Sequence, residues 1–153
     1  MRQSPELEEG MAVKQISVRM ANRPGALHEV TEVLKFAGVN IRAIDVVDEG
    51  GGAAVVRMMV DDPEMAVNAF TSKGFDFTVS EVIPIEVPDH PGGLHAVLGA
   101  LREADINVLQ LYSYLGRSGP HAILILAADK PEEAVAVLKK NWVHAFGEEI
   151  YGL

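Results

Sequence analysis

The chain contains no cysteine. That removes disulfides, thiolate metal sites and cysteine nucleophiles together and leaves five scattered histidines as the only soft ligands, so neither a cofactor nor a metal centre is expected. No apolar run approaches the roughly 18 residues that a membrane span needs, and the N-terminus lacks a basic start followed by a hydrophobic stretch. The cytoplasm is therefore the expected compartment, with no membrane partner. Positive charge is scarce: 13 Lys+Arg against 22 Asp+Glu give a formal charge of -9, which repels phosphate backbones, so nucleic acid is not an expected partner either. Aromatic residues make up only 6%, and Tyr112, Tyr114 and Trp142 lack the basic interleaving of a base-stacking surface, which leaves core or interface packing for them.

What is present suits a folded chain. The 153 residues are 48% hydrophobic and 23% charged, near the averages for a globular protein, and the length fits one compact body or two very small ones. Residues 1–13 open with Pro5, Glu6, Glu8 and Glu9 and almost no apolar content, so they read as a disordered leader, and Met11 is compatible with a later start.

Comparison of the chain with itself finds a duplication. A shift of 67 residues superimposes Pro24 on Pro91, Gly25 on Gly92, Leu27 on Leu94, His28 on His95, Val30 on Val97, Leu34 on Leu101, Ala37 on Ala104 and Asn40 on Asn107. One extra residue in a hairpin loop raises the shift to 68, after which Asp61-Asp62-Pro63-Glu64 lies over Asp129-Lys130-Pro131-Glu132. The expected domains are 14–82 and 83–153.

Each copy carries the same order of periodic signals. Ile16, Val18 and Met20 alternate with polar neighbours, the period of a half-buried strand from about Lys14 to Ala21. Asn22-Arg23-Pro24-Gly25 interrupts it, and a helix follows with Leu27, Val30, Leu34 and Ala37 on one face, ended by Gly38. Asn40–Val47 and Ala53–Val60 read as a hairpin around Gly50-Gly51-Gly52. Asp61 or Asp62 caps a second helix begun at Pro63, with Met65, Ala66, Ala69 and Phe70 inward, and Phe75, Phe77 and Val79 begin a fourth strand. The second copy repeats the pattern: a strand through Ile83, Ile85 and Val87, a helix from Pro91 to Ala104, strands near Ile106–Leu115 and His121–Ala128, a helix from Pro131 and a last strand near Ala145–Tyr151. Pro84 is tolerable only at a strand start or a bulge. The fold class is α+β: two ferredoxin-like βαββαβ units, with antiparallel sheets side by side, helices on one face, and the copies packed as one rigid body.

The repeated turn after the first strand is where a ligand would sit. A helix start leaves N–H groups unpaired and carries about half a positive charge, and glycine lets a ligand approach the backbone. The amides of Gly25, Ala26 and Leu27, and of Gly92, Gly93 and Leu94, suit the carboxylate of a small ligand, while Asn22 or Asp89 suits its ammonium. The alternative is that Asn22 and Asp89 merely cap their helices.

Asn22-x-Pro24-Gly25-x-Leu27, a helix, Gly38-Val39-Asn40-Ile41 and a Gly-rich hairpin together resemble the ACT domain, the amino-acid-sensing βαββαβ module. Asp89-x-Pro91-Gly92-x-Leu94 with Asp105-Ile106-Asn107-Val108 resembles it again, so the chain from about Lys14 on is similar to stand-alone tandem ACT proteins. The resemblance implies paired sheets with an amino acid at the seam: Asn22, Arg23, Gly25, Ala26 and Leu27 facing Asn107 and Val108, and Asp89, His90, Gly92, Gly93 and Leu94 facing Asn40 and Ile41. Asp89 brings a full charge where Asn22 does not, so the second site would favour an ammonium more and a carboxylate less. Pro88 and Gly93 also depart from the first copy, which leaves open that one site is empty.

The expectation is a non-catalytic amino-acid sensor, a homodimer with a regulated enzyme as partner. Two alternatives stand beside it. One is a structural pairing module with no ligand; the other is a small enzyme using His28 and His95 as acid and base, although no nucleophile, metal or phosphate motif accompanies them. Surface or interface packing is the simpler role for both histidines.

Overall fold

The hydrophobic periodicities become strands and helices in the expected order. The computed structural model describes residues 13–119 and 121–153, so nearly all of the expected leader lies outside the described residues. The chain divides into a unit formed by Lys14–Ser80 and another that contains Glu81–Leu153.

In the first unit, β1 (Val13–Ala21), α1 (Ala26–Ala37), β2 (Ile41–Gly50), β3 (Ala53–Val60), α2 (Pro63–Ser72) and the start of β4 (Phe77–Pro88) follow one another. β3 pairs antiparallel with both β1 and β2, through Ile16 opposite Met58 and Ile44 opposite Met58, and the Arg19 amide reaches the Asp76 carbonyl at 2.9 Å on the other side of β1. Both helices cover one face of this sheet. Ile16, Val18, Val56 and Met58 of the strands meet Val30 and Leu34 of α1 and Ala66 and Phe70 of α2 in one core. Met65, expected inward, is 47% exposed, because Ala66 and Phe70, four residues apart, define the buried stripe and Val67 flanks it.

The second unit uses β4 from Glu81 onward, α3 (Gly93–Glu103), β5 (Val108–Ser118), β6 (His121–Ala128) and α4 (Pro131–Lys140). β6 lies between β4 and β5, with Ile85 opposite Leu124 and Leu111 opposite Leu126, and Val97, Leu101, Ala134 and Leu138 cover the helix side.

The expected last strand near Ala145–Tyr151 does not form. It is reduced to one antiparallel bridge between Ile85 and Ala145, and Glu148–Gly152 turns instead as a 3-10 helix. Pro84 explains the loss. It lies inside β4 rather than at a strand start, opposite Ile125, with its carbonyl accepting from the Phe146 amide at 2.8 Å. A strand residue at that position would return a bond to the Phe146 carbonyl; proline has no N–H to give, so the ladder stops one step past the bridge.

Helix starts differ between the copies in a testable way. Asp62 caps α2, its Oδ1 accepting from the Met65 amide at 3.1 Å, whereas Lys130 at the start of α4 supplies no side-chain cap. Asp62→Ala is expected to cost about 1 kcal/mol in chemical denaturation of the first unit.

Candidate functional site

Each of the two turns is built by its own unit. After β1 the chain bends through Asn22, whose amide reaches the Gly52 carbonyl at 2.8 Å and whose Nδ2 donates to Asp48 Oδ1 at 3.1 Å. The Gly50 amide shares that carboxylate oxygen at 3.0 Å, so the triglycine hairpin tip and the turn are tied together. Arg23 folds onto α1 and pairs with Glu29 at 2.9 Å. Gly25 then takes a left-handed φ of 89°, which an L side chain adopts only at a cost, and opens α1 without a side-chain cap.

The turn after β4 repeats this shape. Gly92 has φ 88°, again with no side-chain cap on its helix, and His90 Nδ1 lies 3.0 Å from the Pro91 carbonyl. The first two turn hydrogen bonds recur as well: Arg23 to Ala21 at 3.0 Å matches His90 to Pro88 at 3.0 Å, and Ala26 to Arg23 at 3.2 Å matches Gly93 to His90 at 3.0 Å. Ala26 and Gly93 therefore spend their amides inside the turn. Among the described residues, the amides of Gly25 and Leu27, and of Gly92 and Leu94, have no acceptor. Asn22, Gly25, Asp89 and Gly92 are exposed, while Ala26 and Gly93 are buried and Leu27 and Leu94 half-buried against the cores.

Asn40 and Asn107 occupy matching places before β2 and β5, both exposed. Asp61 Oδ1 accepts from the Asn40 amide at 2.9 Å while the Asp61 amide returns to the Asn40 carbonyl at 3.0 Å; Asp129 holds Asn107 in the same way at 3.0 and 3.1 Å. These two aspartates, Asp61 expected as a possible helix cap and Asp129 only as its match in the repeat, fix the backbone of both asparagines, whose side chains are exposed. The signal was available, since Asp61 and Asp129 coincide in the repeat and the cap is needed only once. Ile41 and Val108 follow them, each half-buried on its own core.

His28 and His95 are exposed and make no ion pair among the described residues. No group of three or more His, Asp or Glu among those residues could hold a metal ion, and no helix among them is long and apolar enough to cross a membrane. Trp142, expected in a core or interface, is 95% exposed.

A family model for an ACT domain pair matches residues 11–150. The crystal structure of protein BT0572 from Bacteroides thetaiotaomicron is similar at 28% identity and a TM-score of 0.85, covering 94% of this chain and 98% of that one. The ligand-free regulatory subunit of aspartate kinase from Thermus thermophilus shares the fold at 16% identity and a TM-score of 0.63, covering 85% and 92% of the two chains. The corresponding subunit from Thermus flavus does so at 14% identity and 0.56, covering 86% and 94%. No curated protein matches the chain significantly.

Proposed function

Because the chain belongs to the ACT domain family, as a pair of ACT domains, we propose that it is a non-catalytic regulatory protein that binds a small amino acid at the turns opening α1 and α3. What supports this reading is the pair of turns: each presents a left-handed glycine and uncommitted amides at a helix start, where a carboxylate is stabilised. Asn22 and Asp89 are the proposed ammonium acceptors, with Asn40 and Asn107 as further contacts. Asn22 has one amide hydrogen committed to Asp48 and keeps its carbonyl oxygen for a ligand. The partner is a second copy of the chain or a regulated enzyme, whose contact the bound amino acid alters by stabilising one arrangement.

Melting curves in the presence of each common amino acid test it. A cognate ligand at about 100 times its Kd should stabilise the protein by about 2.7 kcal/mol. Asn22→Ala and Asp89→Ala should each remove the part of that stabilisation belonging to its own turn, and Asn40→Ala with Asn107→Ala should remove most of it. A panel with no shift at millimolar ligand, or variants that leave the shift intact, would reject the reading.

A further inference from the structure

The duplication makes the first unit a reference for the second, and one region departs from it as a set. A groove of about 390 Å3 in the second unit is lined by His90, His121 and His144, which are three of the five histidines of the chain. The matching positions in the first copy are Arg23, Ala53 and Asp76. The register of that match is structural: Ala21 opposite Ala53 corresponds to Pro88 opposite His121, and the Arg19 amide on the Asp76 carbonyl corresponds to the Glu86 amide on the His144 carbonyl. Three unrelated residue types have all become histidine around one opening.

The groove's other wall departs too. Trp142 replaces Gly74, and both residues end a helix in the left-handed region, at φ 64° and 73°. A bulky side chain accepts that backbone reluctantly, and Trp142 gains almost no burial in return, being 95% exposed while it lines the groove. Ala96, Val97, Ala100 and Val143 make the remaining surface mostly apolar, and Glu86 is the one acid that lines it. A metal ion is not the fitting occupant, since the histidines do not converge closely enough with other ligands among the described residues. The volume lies at the small end of the roughly 300–1,000 Å3 usual for small-molecule sites.

We propose that this groove binds a small apolar carboxylic acid, its carboxylate received by the imidazole N–H groups and its body laid along Ala96, Ala100 and Val143. His90 directs Nδ1 to the Pro91 carbonyl, so its Nε2 is the ring nitrogen left for the ligand; His144 Nε2 stands 3.8 Å from Glu149, a weak contact that a ligand carboxylate can replace. The groove shares His90, Gly92 and Gly93 with the second turn, and the inference goes beyond the amino-acid reading because Ala100, His121, Trp142 and His144, which form the rest of it, are not residues of that site.

Trp142 is the only tryptophan of the chain, so its emission reports the groove directly. Benzoate and hexanoate should each change the emission saturably, and inorganic phosphate should not. Ala100→Leu, which fills the groove, should abolish the response while leaving any amino-acid melting shift in place. His121→Ala with His144→Ala should weaken benzoate binding at least about tenfold, equivalent to about 1.4 kcal/mol. Absence of a saturable change with either acid, an equal response to phosphate, an Ala100→Leu titration like that of the parent, or joint loss of the benzoate and amino-acid responses would each overturn the proposal. Should Ala100→Leu fail to fold, the double histidine variant decides.

Discussion

Phe70→Ala should destabilise the first unit by about 3–5 kcal/mol, as a lower midpoint in denaturant with the second unit's transition little changed. Phe70 is fully buried, with ring centroids 5.6 Å from Phe75 and 5.9 Å from Phe77, so one aromatic side chain joins α2 to the start of the fourth strand. Truncation loses the transfer term and the contacts of the ring with its neighbours in a close-packed core. Set against the roughly 5–15 kcal/mol that holds a typical domain, the loss is a large fraction. The duplication supplies a control. Leu138 fills the matching place in the second core, fully buried, so Phe70→Leu should cost much less. Equal effects from the two substitutions would mean that the ring contacts contribute nothing beyond bulk.

Gly93→Ala should cost about 1–3 kcal/mol in a melting experiment, although alanine is the better helix former by about 1 kcal/mol. A Cβ on Gly93 would stand 2.2 Å from the Pro88 carbonyl oxygen. The obstacle is backbone, so no rotamer change relieves it; the turn after β4 must open. Gly99, in the middle of α3 with nothing within 4 Å of its missing Cβ, isolates the helix preference: Gly99→Ala should stabilise. If both substitutions stabilise, the close approach of α3 to Pro88 is not a constraint. The first copy has Ala26 at this position, so the second turn is the tighter one despite the shared sequence pattern.

Much of the fold was legible because the repeat doubles every signal. The period-two run of Ile16, Val18 and Met20 marked β1, the triglycine tip marked the hairpin of β2 and β3, and Gly38 ends α1 in the left-handed conformation its position implied. The site was legible as a position along the chain and less so as a set of atoms. Which amides stay open depends on carbonyls two or three residues back, and Ala26 and Gly93 are consumed by such bonds. That Asp61 and Asp129 pin the asparagines was carried by their coincidence in the repeat, but Asp61, one residue before Asp62-Pro63, reads first as a helix cap. Of the two roles read for Trp142, the core is excluded: an aromatic residue is buried on average, but this one follows α4 on a left-handed backbone and is 95% exposed. The last strand failed because a proline was judged by its own strand, while its effect falls on the neighbour.

That proline has a further consequence. A long, flat outer strand with unsatisfied amides and carbonyls is a template on which other chains can polymerise. In the second unit the outermost element is a single bridge at Ala145, followed at once by the 3-10 turn, and the strand behind it offers a pyrrolidine ring where a donor would stand. The sheet's border on that side is thereby blunted, a safeguard against fibrous stacking written into the β4 backbone.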